Sequence, residues 1–591
     1  MRFFKVVMAT FVGLILFMAV VSLILALFVG VAVNQSESSE AIAEKTFLHL
    51  KLDQEITDQG GMAASPLDLG GLDLSPKAGL FDLLMAIERA KEDDRVKGIF
   101  LDLSAVPIGM ASVQELRQAL AEFKQEQPDK FVVSYADYYS QKAYYLASVA
   151  DKVYLNPQGD LEFRGLASEV MFFTGALEKI GVEPQVIRHG KFKSAVEPFL
   201  LDSLSPENRE QMNVFMGAIW NDMLAAISQS RGLSTEQLNG YADRLAVRGA
   251  KDAVELRLVD QLLYRDELRA ELVALVGVAS LDDLEPLSPE RYSEEPLPRK
   301  GEGRGLEQDK VAVVFAYGEI GMGDGDGSTI GAATTARDLR EAREDEHVKA
   351  IVFRVNSPGG SALASDIIWR EARLAAQEKV LVVSMGDLAA SGGYYIAAPA
   401  DTILASPTTL TGSIGVFGLM LSAQKLLNEK MGITVDGVST NAMSGIGSMT
   451  RPLTAEERAY FQESVEQTYS TFIGLVAEGR GMTTAEVDSI GQGRVWAGAN
   501  AIELGLVDAF GGMTDAIELA AKMAGSESYR VVSLPAKKTP YEMVMEQFGA
   551  SARAALMRDE LGQAGPYYHE LRRVMELEGI QARMTHQIEI R

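Results

Sequence analysis

Val380-Leu-Val-Val-Ser-Met-Gly-Asp-Leu-Ala-Ala-Ser-Gly-Gly-Tyr-Tyr395 opens as a short apolar strand and breaks at Ser391 into a pair of glycines. A second stretch has the same design: the run Ala350–Val355 leads directly into Asn356-Ser-Pro-Gly-Gly-Ser361. The apolar runs are near-continuous rather than alternating, as strands covered on both faces require. Helix-like stretches, Ser361–Gln377 and Thr454–Val476, stand between and after them. Strand–helix alternation of this kind predicts parallel βαβ units and an α/β fold.

Working outward, the same text occurs earlier in the chain. Val96-Lys-Gly-Ile-Phe-Leu-Asp-Leu103 resembles Val348-Lys-Ala-Ile-Val-Phe-Arg-Val355 at an offset of 252 residues. Val132-Val-Ser-Tyr-Ala-Asp137 resembles Val382-Val-Ser-Met-Gly-Asp387, and Ala143-Tyr-Tyr-Leu-Ala147 resembles Gly393-Tyr-Tyr-Ile-Ala397, both at 250. Ala253–Asp260 resembles Ala501–Asp508 at 248. A nearly constant offset over so long a span implies two homologous domains. They are expected at 46–283 and 310–535, joined by a linker at 284–309 rich in proline, glycine and charge. A tail, 536–591, has no assigned role.

The chain has 591 residues, too many for a single core. Its 82 acidic against 56 basic residues, a net charge of −26, argue against a nucleic-acid partner, which demands a basic surface. There is no cysteine, so thiolate catalysis, disulfides and Cys-based zinc sites are excluded. None of the five histidines, His49, His189, His347, His569 and His586, has metal-binding spacing, so no metal or cofactor is expected. Residues 6–33 are almost wholly apolar and long enough to span a bilayer. Arg2 and Lys5 precede them and Glu37 and Glu40 follow. The expectation is a single uncleaved anchor in a bacterial inner membrane, with the remainder on the periplasmic side.

Both glycine-rich turns fall at the carboxyl ends of parallel strands, where open α/β sheets bind ligands. Paired glycines let backbone N–H groups converge on one point, as an oxyanion hole needs. Ser391 would open a helix, and it reads either as a nucleophile or as a helix N-cap. The comparison between repeats adds information. Pro358-Gly359-Gly360 corresponds to Val106-Pro107-Ile108, and Ser391 to Gln141, so these features belong to one copy only. A serine nucleophile requires a base. The nearest histidine in sequence, His347, stands at the wrong end of its strand. The first repeat offers Arg188-His-Gly-Lys-Phe-Lys193-Ser-Ala-Val-Glu-Pro198, in which Lys193 corresponds to Met443 of the second. A lysine base must be neutral, far below its ordinary pKa near 10.4. Burial and the cations Arg188, His189 and Lys191 could depress it; the same residues also read as a solvated basic patch.

Gly321-Met-Gly-Asp-Gly-Asp-Gly-Ser328 has no Gly-Lys-Ser/Thr for a phosphate loop. It mimics a calcium loop at Asp324, Asp326 and Ser328, but Thr329 and Thr335 replace the required glycine and glutamate. It reads as a flexible loop near the cleft.

Together, Ser357-Pro-Gly-Gly-Ser361, Met385-Gly-Asp-Leu-Ala-Ala-Ser-Gly-Gly-Tyr-Tyr395, Thr411-Gly-Ser-Ile-Gly415 and Lys193-Ser-Ala-Val-Glu-Pro198 resemble the signal peptide peptidase A family (protease IV), in its long tandem form. The resemblance runs from the anchor to about residue 530. It implies two crotonase-like or Clp-protease-like domains and a Ser/Lys serine endopeptidase. Ser391 matches the nucleophile and Lys193 the base. Gly359, Gly360 and Gly392 match the oxyanion turns, and Ser413 a hydroxyl that steadies the lysine. The resemblance also implies apolar peptide substrates, such as remnants of cleaved signal peptides, and a bowl-shaped homotetramer on the membrane. Two rivals are a crotonase-like acyl-CoA enzyme, which needs acidic catalytic residues, and a non-catalytic scaffold, which would tolerate loss of Ser391 and Lys193.

Overall fold

The computed structural model describes residues 13, 42–54, 56–61, 77–104, 106–293, 309–325, 329–536 and 580–584. The expected anchor (6–33, Gly13 apart), residues 294–308 of the linker, Asp326 and Ser328 of the glycine-rich loop, and residues 537–579 and 585–591 of the tail lie outside the described residues. Among the described residues no helix is long and apolar enough to cross a membrane.

Two sheets repeat one strand order. The first runs Gln261–Leu262, Lys152–Leu161, Phe131–Tyr139, Val96–Asp102, Thr46–Lys51, Pro286–Leu287, all parallel. The second contains the same series: Ala509–Phe510, Thr402–Ala405, Val380–Ala390, Val348–Ser357, Asp309–Tyr317, Tyr529–Leu534. In addition, Leu410–Gly412 pairs with the far end of Val380–Ala390 and carries Val495–Ala497 antiparallel. All but one residue of Val348–Ser357 is buried, as the continuous apolar run requires. Residues 284–293, read above as the start of the linker, instead hold the strand Pro286–Leu287, paired to Phe47–Leu48, and the helix Pro289–Ser293. Tyr292 is fully buried there. Two of the prolines that suggested a linker, Pro286 and Pro289, lie at an edge strand and a helix start, where a missing N–H costs little.

The helices also come in matched pairs. Met110–Glu126 buries Val113, Leu116, Leu120 and Phe123, an i, i+3, i+7, i+10 stripe. Its counterpart is Ala362–Glu378, capped by the Ser361 hydroxyl. Two long helices, Pro206–Arg231 and Ala455–Arg480, start on Ser205 and Thr454 caps and end at left-handed Gly232 and Gly481.

The repeats are not separate bodies. One apolar core joins Leu48, Ile99 and Leu116 of the first to Val313, Val352 and Val382 of the second. Within that seam the fully buried Arg354 meets Asp58 at 3.0 Å and Glu115 at 2.7 Å. Asp387 accepts hydrogen bonds from the N–H and hydroxyl of Ser112, at 2.9 and 2.6 Å.

A third, mixed sheet crosses between the repeats, in the order Thr329–Gly331, Glu319–Gly321, Gly359–Ser361, Ile580–Arg583, Phe417–Ser422, Glu183–Arg188. The last strand belongs to the first repeat and pairs antiparallel with Phe417–Ser422 over six positions. This pairing delivers the Lys193 loop to the second repeat. Ile580–Arg583 comes from the tail.

Candidate active site

The strand Val380–Ala390 ends at Ser391, which takes φ +56° and ψ −114° before the helix Gly392–Ala397. A non-glycine residue with such a φ pays about 1–3 kcal/mol, so the surroundings must hold it there. They do so through the Ser391 N–H, donated to the Gly412 carbonyl at 2.8 Å, and the Ser391 carbonyl, which accepts from Tyr395 N–H at 2.9 Å. The side chain makes no N-capping bond. The serine therefore does not act as the cap that its position would allow.

Lys193 arrives from the other repeat. After Glu183–Arg188 the chain turns at Gly190 and packs against Gln492–Arg494: Phe192 N–H donates to the Gln492 carbonyl at 3.0 Å. Gln211 locks the loop from behind. Its amide donates to Ser194 Oγ at 3.0 Å, and its oxygen accepts from Val495 N–H at 3.1 Å. Gly493, at φ +79°, lies directly beneath the lysine, and a β-carbon there would come within 2.6 Å of Lys193 Cβ and 2.8 Å of its Cα. No side chain fits at this crossing.

Lys193 Nζ ends 2.8 Å from Ser391 Oγ, 3.1 Å from Ser413 Oγ and 3.1 Å from the Ser413 carbonyl oxygen. Lysine and both serines are at most 1% exposed. Burial holds the Lys193 ammonium well below the ordinary lysine range, with no charged neighbour in support. The expected cationic neighbours are engaged elsewhere. Arg188 donates to the Lys193 carbonyl at 3.2 Å, His189 pairs with Glu466 at 2.7 Å and stacks on Tyr469, and Lys191 lies over the Phe192 ring. Desolvation alone produces the shift, so the contribution expected from cations is replaced by that of burial.

The glycine turns converge on the same place. Gly359, at φ +96°, faces the Gly392 N–H, which opens a helix and so has no intrahelical acceptor. The Gly359 N–H donates to Ser357 Oγ at 3.1 Å. Gly360 lies in the crossing sheet, paired to Ile320 and Ala582. The corresponding residue to Ser391, Gln141, has a structural occupation in the first repeat: its side-chain oxygen accepts from Arg164 and Gly165 N–H, both at 2.9 Å.

The model of peptidase family S49 matches this chain twice, over residues 124–279 and 373–527, together more than half its length. The chain belongs to peptidase family S49. It is accordingly a serine peptidase, a hydrolase of peptide bonds. Among S49 relatives, Protease 4 of Salmonella typhi is 39% identical over 81% of this chain and 77% of its own. Protease 4 of Haemophilus influenzae is 35% identical over 82% and 80%. The chloroplastic serine protease SPPA of Arabidopsis thaliana is 34% identical over 78% and 69%. A ClpP1 mutant from Listeria monocytogenes covers 35% of this chain and 94% of its own at 16% identity and a TM-score of 0.24, too low to carry an argument.

Several residues of this candidate site were not singled out from sequence. Gly493 and Gln211 lie far from any motif, and nothing in one sequence marks them. Asp387 and Asn356 lie inside the quoted motifs. Asn356 accepts from Leu388 N–H at 3.1 Å and approaches Asp387 at 3.4 Å, so both shape the turn before Ser391.

Proposed function

We propose that Ser391 and Lys193 form a Ser/Lys dyad that hydrolyses peptide bonds, each repeat supplying one member. The observation that carries this is a fully buried amine 2.8 Å from a fully buried, backbone-strained serine hydroxyl. An amine kept neutral by burial accepts the Ser391 proton as Oγ attacks the peptide carbonyl carbon. The charge that develops on the carbonyl oxygen falls to the Gly392 N–H, with Gly359 and Gly360 shaping the pocket beside it. The lysine, now protonated, gives its proton to the departing amine, and a water repeats the sequence on the acyl-enzyme. Ser413 supports the base through two contacts at 3.1 Å.

The substrate class is extended apolar peptide, including remnants of cleaved signal peptides. The apolar segment 6–33 is read as a single-pass anchor in a bacterial inner membrane, holding the catalytic repeats on the periplasmic side. A homotetramer is proposed, since one S49 chain joined at a single seam leaves edges that closed symmetry would cover. Activity measured on a fluorogenic peptide tests the dyad. Ser391→Ala and Lys193→Ala should each lower kcat by about 10⁴-fold or more, and the double variant should be no worse than either single one. Wild-type turnover in Lys193→Ala would remove the lysine from the mechanism.

A further inference from the structure

The loop that carries Lys193 has few side chains with which to hold itself down. Between the strand Glu183–Arg188 and Lys193 stand His189, Gly190, Lys191 and Phe192. Gly190 has no side chain, and a β-carbon there would come within 2.4 Å of the Gln492 carbonyl oxygen. Lys191 is exposed. Phe192 is buried beneath the Arg494 guanidinium, 4.7 Å from its ring. His189 is the remaining side chain, and its ring lies almost flat on Tyr469, with centroids 3.8 Å apart and planes 21° from parallel. By the offset that matches Lys193 to Met443, its counterpart in the second repeat is Ser439, which is exposed. The aromatic anchor thus belongs to the repeat that supplies the lysine.

Tyr469 also holds the floor under the lysine. That floor is Gln492 and Gly493, consecutive residues at φ +55° and +79°. A left-handed glutamine is strained and needs support. The Gln492 N–H donates to the Tyr469 hydroxyl at 3.3 Å, and that hydroxyl donates to Asp488 at 2.6 Å. The Gln492 amide donates to the same carboxylate, and its carbonyl accepts from Phe192 N–H at 3.0 Å. One buried tyrosine therefore presents its face to the loop above the lysine and its hydroxyl to the floor below. His189 also pairs with Glu466 at 2.7 Å, but that carboxylate is 47% exposed. A pair so wet contributes little, so the ring contact is the stronger hold.

We infer that His189 is a positioning residue for the base: stacked on Tyr469, it holds the 189–193 loop on the Gln492–Gly493 floor and keeps water away from Lys193 Nζ. The inference rests on the dyad reading above. Its consequence is a link between a ring at the surface and the proton affinity of the amine. Nothing but burial keeps the lysine neutral, so a loop that lifts lets water reach the ammonium and stabilises it. His189 touches neither Ser391 nor Lys193 Nζ, and it acts only through the loop.

The test is a pH series of kcat/KM on a fluorogenic peptide, with fluorophosphonate labelling of Ser391 over the same range, for wild type, His189→Ala and His189→Phe. In His189→Ala the midpoint should move up by about 0.5–1 pH unit, the size of one lost aromatic contact. Below the midpoint the rate should fall about three- to tenfold, in kcat rather than KM, and it should rejoin wild type on the alkaline plateau. His189→Phe keeps the stacked ring and loses the imidazole charge, and its midpoint should stay within about 0.3 unit of wild type. The titratable groups around the ring, Glu466, Tyr469 and Asp488, are retained in every variant, so their own ionisations are common to all three profiles. A midpoint unmoved in His189→Ala would overturn the inference. So would an equal loss at every pH, which is what a purely structural residue gives, or a His189→Phe variant no better than alanine. If Lys193→Ala abolishes turnover while His189→Ala keeps the wild-type midpoint, only this inference fails; full turnover in Lys193→Ala would sink both.

Discussion

Gly493→Ala perturbs the site without touching a reacting atom. The added β-carbon would stand 2.6 Å from Lys193 Cβ, where ordinary contact begins near 3.4 Å, a shortfall of about 0.8 Å. The obstacle is lysine backbone and Cβ rather than a flexible side-chain end, so relief requires moving the lysine itself. A shift of that size carried to Nζ would stretch the 2.8 Å contact with Ser391 Oγ to about 3.6 Å, beyond hydrogen-bond reach. Misplacement by about 1 Å costs roughly 10²-fold in rate. The left-handed φ of +79° adds about 1–2 kcal/mol of backbone strain for alanine. The expected outcome is a folded protein, lowered in Tm, with kcat/KM on a fluorogenic peptide reduced about 10²-fold. A folded variant within about threefold of wild type would refute the placement of Gly493 as the floor beneath the base.

The remaining expectations follow from the same geometry. Ser413→Ala removes one of three contacts to Nζ and leaves the carbonyl in place, so kcat/KM should fall about five- to tenfold, the value of about 1 kcal/mol for one hydrogen bond. An unchanged rate would show that the hydroxyl does not position the base. In a pH series, kcat/KM should rise with pH through one ionisation lying well below the lysine range around 10.5, because only the neutral amine accepts a proton. A pH-independent rate would count against a titrating base. The same burial has a stability cost: below pH 10.5 the unfolded chain protonates this lysine while the folded one resists until its lowered pKa, so stability falls as pH falls through that window. Lys193→Met should therefore be more stable than wild type at neutral pH by chemical denaturation, and a loss would contradict the desolvation argument. Arg354→Met strands two buried carboxylates at the seam and should cost about 3–5 kcal/mol; a cost below about 1 kcal/mol would mean the seam does not depend on that pair.

The tandem organisation was legible because continuous apolar strands at a constant offset need no tertiary information. Ser391, Lys193 and the glycine pairs, which the fold brings together, stood out as candidates for a related reason: each appears in one repeat and is replaced in the other, by Gln141 at the serine and Met443 at the lysine. Local sequence could not convey what long-range packing supplies. The cause of the lysine's shift was divided between burial and Arg188, His189 and Lys191. The structure sends those cations to Glu466, the Phe192 ring and a backbone carbonyl, which no local pattern encodes. Gly493 and Gln211 act through contacts with a segment some 300 residues away. The tail strand was unreadable because Ile580–Arg583 has no repeat partner, and its pairing is created only where two distant edges face each other. Residues 284–293 were misassigned because prolines suit edge strands and helix starts as well as linkers.

In the proposed dyad Lys193 activates Ser391 across the seam between repeats. Its most direct test is the rate of covalent labelling by a fluorophosphonate as a function of pH, with the modified residue mapped by peptide mass. One label per chain is expected, on Ser391, at a rate that rises with pH through a single ionisation below the ordinary lysine range and is abolished in Lys193→Met. Labelling at another serine, or an undiminished rate on Ser391 in Lys193→Met, would contradict it.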